Sequence, residues 1–221
     1  MKRIISLICC ALLSVFAMGG CADNGEPFSP KTYTADSTQI KSISIDVRDR
    51  QIEVSPSEDH QIHIDYFEND KEYYDISVSD ESVLTITAAD SKEWSDYIGG
   101  KAAAEYRKLS VRIPDALLQS LTVSTTNEEI VLSELAVTDS VSLSSNGGNI
   151  RFAKLTVGRE IALTAKNGDI SGTVAGSYDN FAIRSAVKKG ESNLPETKDG
   201  GEKRLNVSCN NGDISIAFQA S

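Results

Sequence analysis

The chain has 221 residues, 40% apolar and 24% charged, enough for one globular domain with a substantial core. Its 32 acidic against 22 basic residues give a net charge of −10, which becomes −12 once residues 1–20, with Lys2, Arg3 and no acid, are removed. Such a surface repels nucleic acid, and cysteines only at 9, 10, 21 and 209 exclude a disulfide framework.

Met1-Lys2-Arg3 followed by the mostly apolar stretch 4–17 has the form of a secretory signal, too short for a membrane-spanning helix. The stretch ends Met18-Gly19-Gly20-Cys21, which resembles the lipobox of bacterial lipoproteins, with Met18 in place of the usual Leu. That resemblance implies cleavage before Cys21 and a diacylglyceryl group on its thiol. Acyl chains contribute ~0.8 kcal/mol per buried CH₂, so they anchor a protein without a spanning helix. Residues 22–38 are polar, carry Pro27 and Pro30 and show no periodicity, which predicts a flexible tether. The organisation expected is therefore leader 1–20, lipidated Cys21 with tether to 38, and one domain over 39–221. The protein is expected to be exported and held at the outer leaflet of the cytoplasmic membrane or the cell surface.

From Ile40 the apolar period is two. Ile43/Ile45/Val47, Ile52/Val54, Ile62/Ile64/Tyr66, Tyr74/Ile76/Val78, Leu84/Ile86/Ala88 and Leu109/Val111/Ile113 alternate with polar residues and predict half-buried strands. Residues 89–107 break this rhythm with Trp94, Gly99-Gly100 and the helix-prone KAAAEYRK. They predict a loop with one short helix lying over an open end or edge of the sheet.

The second half contains a repeat. Apolar pairs recur at Leu121/Val123, Val141/Leu143, Ile161/Leu163, Phe181/Ile183 and Leu205/Val207, with steps of 20, 20, 20 and 24. An Ile follows at 130, 150, 170 and 214, with Leu194 in the fourth copy after an insertion, and Leu135/Val137 and Leu155/Val157 add a third short strand. The corners TTNEE, SNGGN, KNGD and NNGD supply Gly and Asn for tight bends. Asn-Gly corners also fit an antiparallel sandwich. Antiparallel neighbours would reverse the pattern on alternate strands, whereas here one order recurs, so an all-β, single-domain β-solenoid with rungs of about 20 residues is the fold expected. The less regular first half forms either irregular rungs or a capping sheet.

The repeat bears on individual residues. Cys209 follows its apolar pair as Thr125, Ser145, Ala165 and Ser185 follow theirs, so it reads as a small inward residue rather than a nucleophile. Glu129, Asn149, Asp169, Asn193 and Asp213 precede the corner apolar residues and form a predicted ladder without adjacent acids. Such a ladder could hold a cation or sugar, but Asp and Asn bonding their own corner backbone is the simpler role. His60 and His63 fall on opposite strand faces and cannot share a metal. Neither metal nor cofactor is expected. Lys188-Lys189 forms a basic tip at the inserted corner that could touch a polyanion, and Trp94 and Tyr97 are the aromatic binding candidates in the interrupting loop. Asp169 and Asp213, two rungs or ~9–10 Å apart in this register, have a separation near that used in inverting polysaccharide cleavage; corner chemistry explains the same residues, and no catalytic residue is expected.

SSNGGNI, AKNGDISG, KKGESNLP and LNVSCNNGDISIAF, within 109–218, are similar to the putative-adhesin domain of bacterial surface proteins. The resemblance implies a β-helical fold and an adhesive or envelope role, and it transfers no catalytic residue. The expectation is a non-catalytic, lipid-anchored binding or adhesion module facing an envelope or extracellular protein or a glycan. The alternative is an envelope accessory protein that binds a membrane sensor or transporter in stress signalling, which a short tether suits.

Overall fold

The computed structural model describes residues 27–90, 101–114 and 118–220. In chain order the strands are β1 Ser29–Asp36, β2 Ser42–Asp46, β3 Gln51–Pro56, β4 Gln61–Glu68, β5 Glu72–Val78, β6 Val83–Asp90, β7 Lys108–Ile113, β8 Ser120–Thr125 and β9 Ile130–Leu132. They continue as β10 Leu135–Val137, β11 Ser140–Ser145, β12 Ile150–Val157, β13 Glu160–Asn167, β14 Ile170–Ala175, β15 Phe181–Lys189, β16 Thr197–Lys198, β17 Lys203–Asn211 and β18 Ile214–Gln219.

These strands make two nine-stranded sheets. Sheet A runs β1-β4-β7-β3-β9-β12-β14-β18, with β10 beside β12, and sheet B runs β16-β15-β17-β13-β11-β8-β2-β6-β5. Successive rungs pair in parallel, because each contributes one strand to each sheet and turns the same way at its corner. The fold is a β-solenoid, as the translational repeat requires.

The core is a set of stacked columns. In sheet A, Leu109, Ile52, Ile130, Ile150, Ile170 and Ile214 occupy matched positions on adjacent strands. In sheet B, Leu84, Ile43, Leu121, Val141, Ile161 and Leu205 do the same. All twelve are buried. Parallel stacking in register lets one branched side chain cover the next, so the period-two pattern becomes a continuous apolar interior. The first half supplies both kinds of structure expected of it. β2–β3 and β6–β7 are rungs of the same coil, whereas β4 and β1 on sheet A and β5 on sheet B are antiparallel caps.

Spatial order departs from chain order at both ends. Rung β6–β7 lies outside rung β2–β3, which pairs on its other side with β8 and β9. At the far end the last rung, β17–β18, stacks directly on β13–β14, and β15 lies beyond β17. The corner glycines record this order. A Cβ on Gly168 would lie 2.5 Å from the carbonyl oxygen of Gly148, one on Gly212 2.4 Å from that of Gly168, and one on Gly190 2.2 Å from that of Gly212. Each has positive φ, +152°, +145° and +138° respectively, so glycine is required for both space and conformation.

Three sequence expectations are corrected. The stretch assigned to the tether holds β1, paired with β4 along its whole length, and Ser37 is buried with its hydroxyl donating to the His60 carbonyl at 2.6 Å. Only Tyr33 and Ala35 of β1 pack on the core, so its stability comes from backbone pairing that hydropathy does not display. The fourth copy is also shifted by two residues: Ile183, not Phe181, pairs with Leu205, and Val187, not Ser185, pairs with Cys209. Lys188 and Lys189 therefore extend β15 instead of forming a corner. Third, Asp169 and Asp213 are on adjacent rungs, because β14 pairs directly with β18.

Candidate functional site

The corner column is a chain of bonds from main-chain N–H groups to side-chain oxygens. The Asp169 N–H donates to Asn149 Oδ1 at 2.8 Å, the Asp213 N–H to Asp169 Oδ1 at 2.9 Å, and the Glu191 N–H to Asp213 Oδ1 at 2.8 Å. Each side chain thus holds the next rung's corner rather than its own. The adjacent acids Asp169 and Asp213 stand in solvent, with a donor supplied to each, so their proximity is tolerated. Glu129 begins the column and pairs with Arg151.

Asn193 is not a member. Its Nδ2 donates to the Ile216 carbonyl at 2.8 Å and its Oδ1 accepts the Ile216 N–H at 3.0 Å. The carboxamide imitates a strand residue and closes part of the β18 edge. Glu191 occupies the ladder position because of the two-residue shift.

Inside the corners, small polar side chains satisfy the preceding rung's carbonyls. Thr125 Oγ1 donates to the Arg50 carbonyl at 2.8 Å, Ser145 Oγ to that of Glu128 at 3.1 Å, and Cys209 Sγ to that of Gly168 at 3.3 Å. Burial pushes the Cys209 thiol up, and the carboxylates of Asp169 and Asp213 add to this, so the sulfur is held as a protonated donor. Among the described residues no three His, Cys, Asp or Glu side chains converge to hold a metal ion.

A polar network missed in the sequence locks the first rungs. Buried Arg50 donates through Nε to Tyr74 Oη at 2.8 Å, forms an ion pair with Glu72, and lies 5.9 Å from the centre of the Tyr74 ring. Asp49 beside it accepts from Lys101 Nζ at 2.7 Å and Asn127 Nδ2 at 2.6 Å, while Arg107 pairs with Glu128. This fastens the cap strand β5 and the end of the interrupting segment to one corner. The helix-prone run forms a 3₁₀ turn at Ala104–Arg107.

The outer face of sheet B is the most distinctive surface. Its rows read Thr85–Ser44–Thr122–Ser142 and Thr87–Asp46–Ser124–Ser144 across four strands, with Ser42–Ser120–Ser140 alongside. Strand and residue spacings place these groups on a grid of roughly 4.8 by 6.7 Å. Ser120 Oγ donates to Ser42 Oγ at 2.8 Å across it. On sheet A, cross-strand ion pairs join Lys108 to Glu53 at 2.7 Å and Arg112 to Asp65 at 2.9 Å. The signal was legible in the sequence, since the polar partners in these alternations are almost all Ser or Thr. A search for apolar periodicity passes over them.

The hydroxyl face runs on across β13, β17 and β15 into a shallow depression of about 380 Å³. The outward side chains of Ala162, Thr164, Asn206, Ser208 and Ala186 line it, and Arg184 and Glu196 rise at its rim. Lys188 and Lys189 are exposed at the end of the same strand β15. Trp94, Tyr97 and Cys21 lie outside the described residues. Among the described residues no helix is long and apolar enough to cross a membrane.

Comparison with known proteins follows the same architecture. The family profile described as Toastrack DUF4097 matches residues 40–218. The crystal structure of a putative cell adhesion protein from Clostridium sporogenes is similar over 87% of this chain and 100% of that one, at 10% identity and a TM-score of 0.58. Putative adhesins from Bacteroides fragilis (11% identity, 86% of this chain and 97% of that one, TM-score 0.39) and Parabacteroides distasonis (16%, 86% and 97%, 0.33) also match. No curated protein matches the chain by sequence.

Proposed function

We propose that this chain, which belongs to the Toastrack DUF4097 family, is an exported, non-catalytic binding module that is anchored through Cys21 and engages its ligand through the outer face of sheet B. The observation that carries this reading is the hydroxyl grid, an extended flat surface of small hydrogen-bonding groups on a rigid scaffold. Such a face makes many weak, additive contacts, as adhesion requires, and its two-way donors and acceptors suit a hydroxyl- or amide-bearing partner. The leader, the lipobox-like Met18-Gly19-Gly20-Cys21 and the adhesion-type neighbour of the same fold support an envelope location. The polar residues most suited to catalysis have structural work: Asp169 and Asp213 hold the next corners and Cys209 holds a carbonyl.

A second reading draws on β1. With that strand docked, only residues 22–28 separate Cys21 from the sheet, and seven residues reach at most about 25 Å. Phe28 is itself stacked on Tyr106, with ring centres 4.9 Å apart. A domain held this near the bilayer suits an accessory protein acting on a membrane sensor or transporter.

Crosslinking on living cells from the native lipoprotein, with mass spectrometry of the captured material, tests both. Adhesion predicts wall or external material, lost when Ser142→Arg and Ser144→Arg are introduced together. A dominant integral-membrane protein, enriched over a lipobox-matched control, supports the accessory role instead. Capture unaffected by the double substitution overturns the assignment to sheet B.

A further inference from the structure

We infer that the depression between β13, β17 and β15 is a subsite for one neutral sugar unit of a glycan lying on sheet B. This deepens the proposed binding role of that face and rests on it.

The depression exists because small residues meet long ones. Ala162 and Ala186 contribute only methyl groups to it, whereas Arg184 and Glu196 line it with long side chains. Its volume, about 380 Å³, falls in the range of small-ligand sites. Hydrogen bonds hold Arg184 and the backbone at Glu196 without a ligand. Arg184 donates to Asp199 Oδ1 at 2.6 Å and to the carbonyls of Ile183 and Lys198 at 2.9 and 3.2 Å, and the Ser185 N–H donates to the Glu196 carbonyl at 3.0 Å. Preorganisation lowers the ordering cost of binding.

The two arginines at this place are each paired, while the Glu196 carboxylate beside them carries a single negative charge. Arg184 is met by Asp199, and Arg204 by Glu160 at 2.8 Å. The Asn206 Nδ2 donates to the same Glu160 carboxylate at 2.9 Å, which leaves the Asn206 carbonyl oxygen as an acceptor. Thr164 and Ser208 add hydroxyls that both donate and accept. A hydrogen-bonding patch with paired cations, two apolar methyls and the Glu196 carboxylate beside it, on a protein of net charge −10, selects against an anion and fits a pyranose, which has hydroxyls on its rim and C–H groups on its faces. The hydroxyl rows leading into the depression provide the path for neighbouring units of the polymer.

The test is saturation-transfer NMR and calorimetry on the full lipoprotein in neutral detergent micelles, with chitotetraose and maltotetraose as neutral probes and oligogalacturonate as the anionic one. A neutral tetrasaccharide is expected to bind weakly, and Ala186→Trp, which fills the depression from its outward side, to abolish that binding. Asn206→Ala is expected to weaken it about tenfold through loss of the acceptor. An unchanged thermal midpoint confirms that each variant folds. If a neutral probe binds but ignores Ala186→Trp, while Ser142→Arg abolishes binding, the subsite is overturned and the binding face stands. If no sugar binds while the live-cell capture still depends on Ser142 and Ser144, the sugar inference alone is overturned. Loss of both overturns the subsite and the face together, and a preference for oligogalacturonate overturns the neutral ligand class.

Discussion

Ile170→Ala removes three buried carbons from the middle of the isoleucine column. Ile170 is fully buried, with Ile150 paired on one side and Ile214 on the other. At ~0.8 kcal/mol per buried carbon the transfer term is about 2.4 kcal/mol. Rigid rungs on both sides limit collapse into the void, so the cavity term should bring the total to about 3–5 kcal/mol, the upper part of the range for such truncations. Leu194, buried between β15 and β16 but at 8% exposure against 0% for Ile170, lacks that enclosure, and Leu194→Ala should cost about 2 kcal/mol. Lys188→Ala, on an exposed site, should stay within about 0.5 kcal/mol. Urea unfolding of residues 22–221, followed by far-ultraviolet circular dichroism, measures all three at constant denaturant slope. An Ile170→Ala loss below about 1 kcal/mol, indistinguishable from the lysine control, would refute the stacked column.

The order of rungs is open to a disulfide test. Ala162→Cys with Asn206→Cys should crosslink, since these residues pair on adjacent strands about 4.8 Å apart. Ala162→Cys with Ala182→Cys should not, because β17 lies between them, and efficient oxidation of that pair would restore simple chain-order stacking. Asn193→Ala should cost about 1–2 kcal/mol and speed amide exchange at Ile216, whose N–H and carbonyl lose their partner. Burial pushes Tyr66 up to about 12 from 10, with the Glu68 charge adding to it. The folded state favours its neutral form, so that contribution is complete below pH 10 and is lost as the pH rises towards 12. An ultraviolet phenolate titration in which every tyrosine ionises near 10 would contradict the burial of this ring.

The parts of the fold that follow from one residue type at one spacing were readable before any coordinates. Ile130, Ile150, Ile170 and Ile214 gave the column, and the Asn-Gly corners gave the turns. The sequence of rungs in space was not readable, because each copy presents the same inward residues and therefore satisfies the core in any order. What fixes the order is finer: the two-residue offset of β15 against β17 and the backbone contacts at Gly168, Gly190 and Gly212. β1 leaves no hydropathy signal because edge pairing uses main-chain groups common to every residue. The Asp/Asn column was visible as a pattern, but its members bond across rungs, a contact that requires knowing which rung is next. For the same reason the sequence pattern puts Asn193 in the ladder, whereas its hydrogen bonds are at the sheet edge.

The insertion of β17–β18 beneath β15 also governs how the molecule is completed during synthesis. The chain is made from its N-terminus, so β15 exists before the strand that must separate it from β13. Until residues 203–219 emerge, the β13–β14 rung presents bare backbone, and β15 has only the two-residue β16 beside it. The last segment acts as a keystone: its arrival completes two rungs at once, at a sequence distance of 44 residues from Glu160 to Arg204. A chain cut short before Lys203 therefore loses the support of β15 together with the final rung, and its exposed edge invites pairing with another unfinished copy.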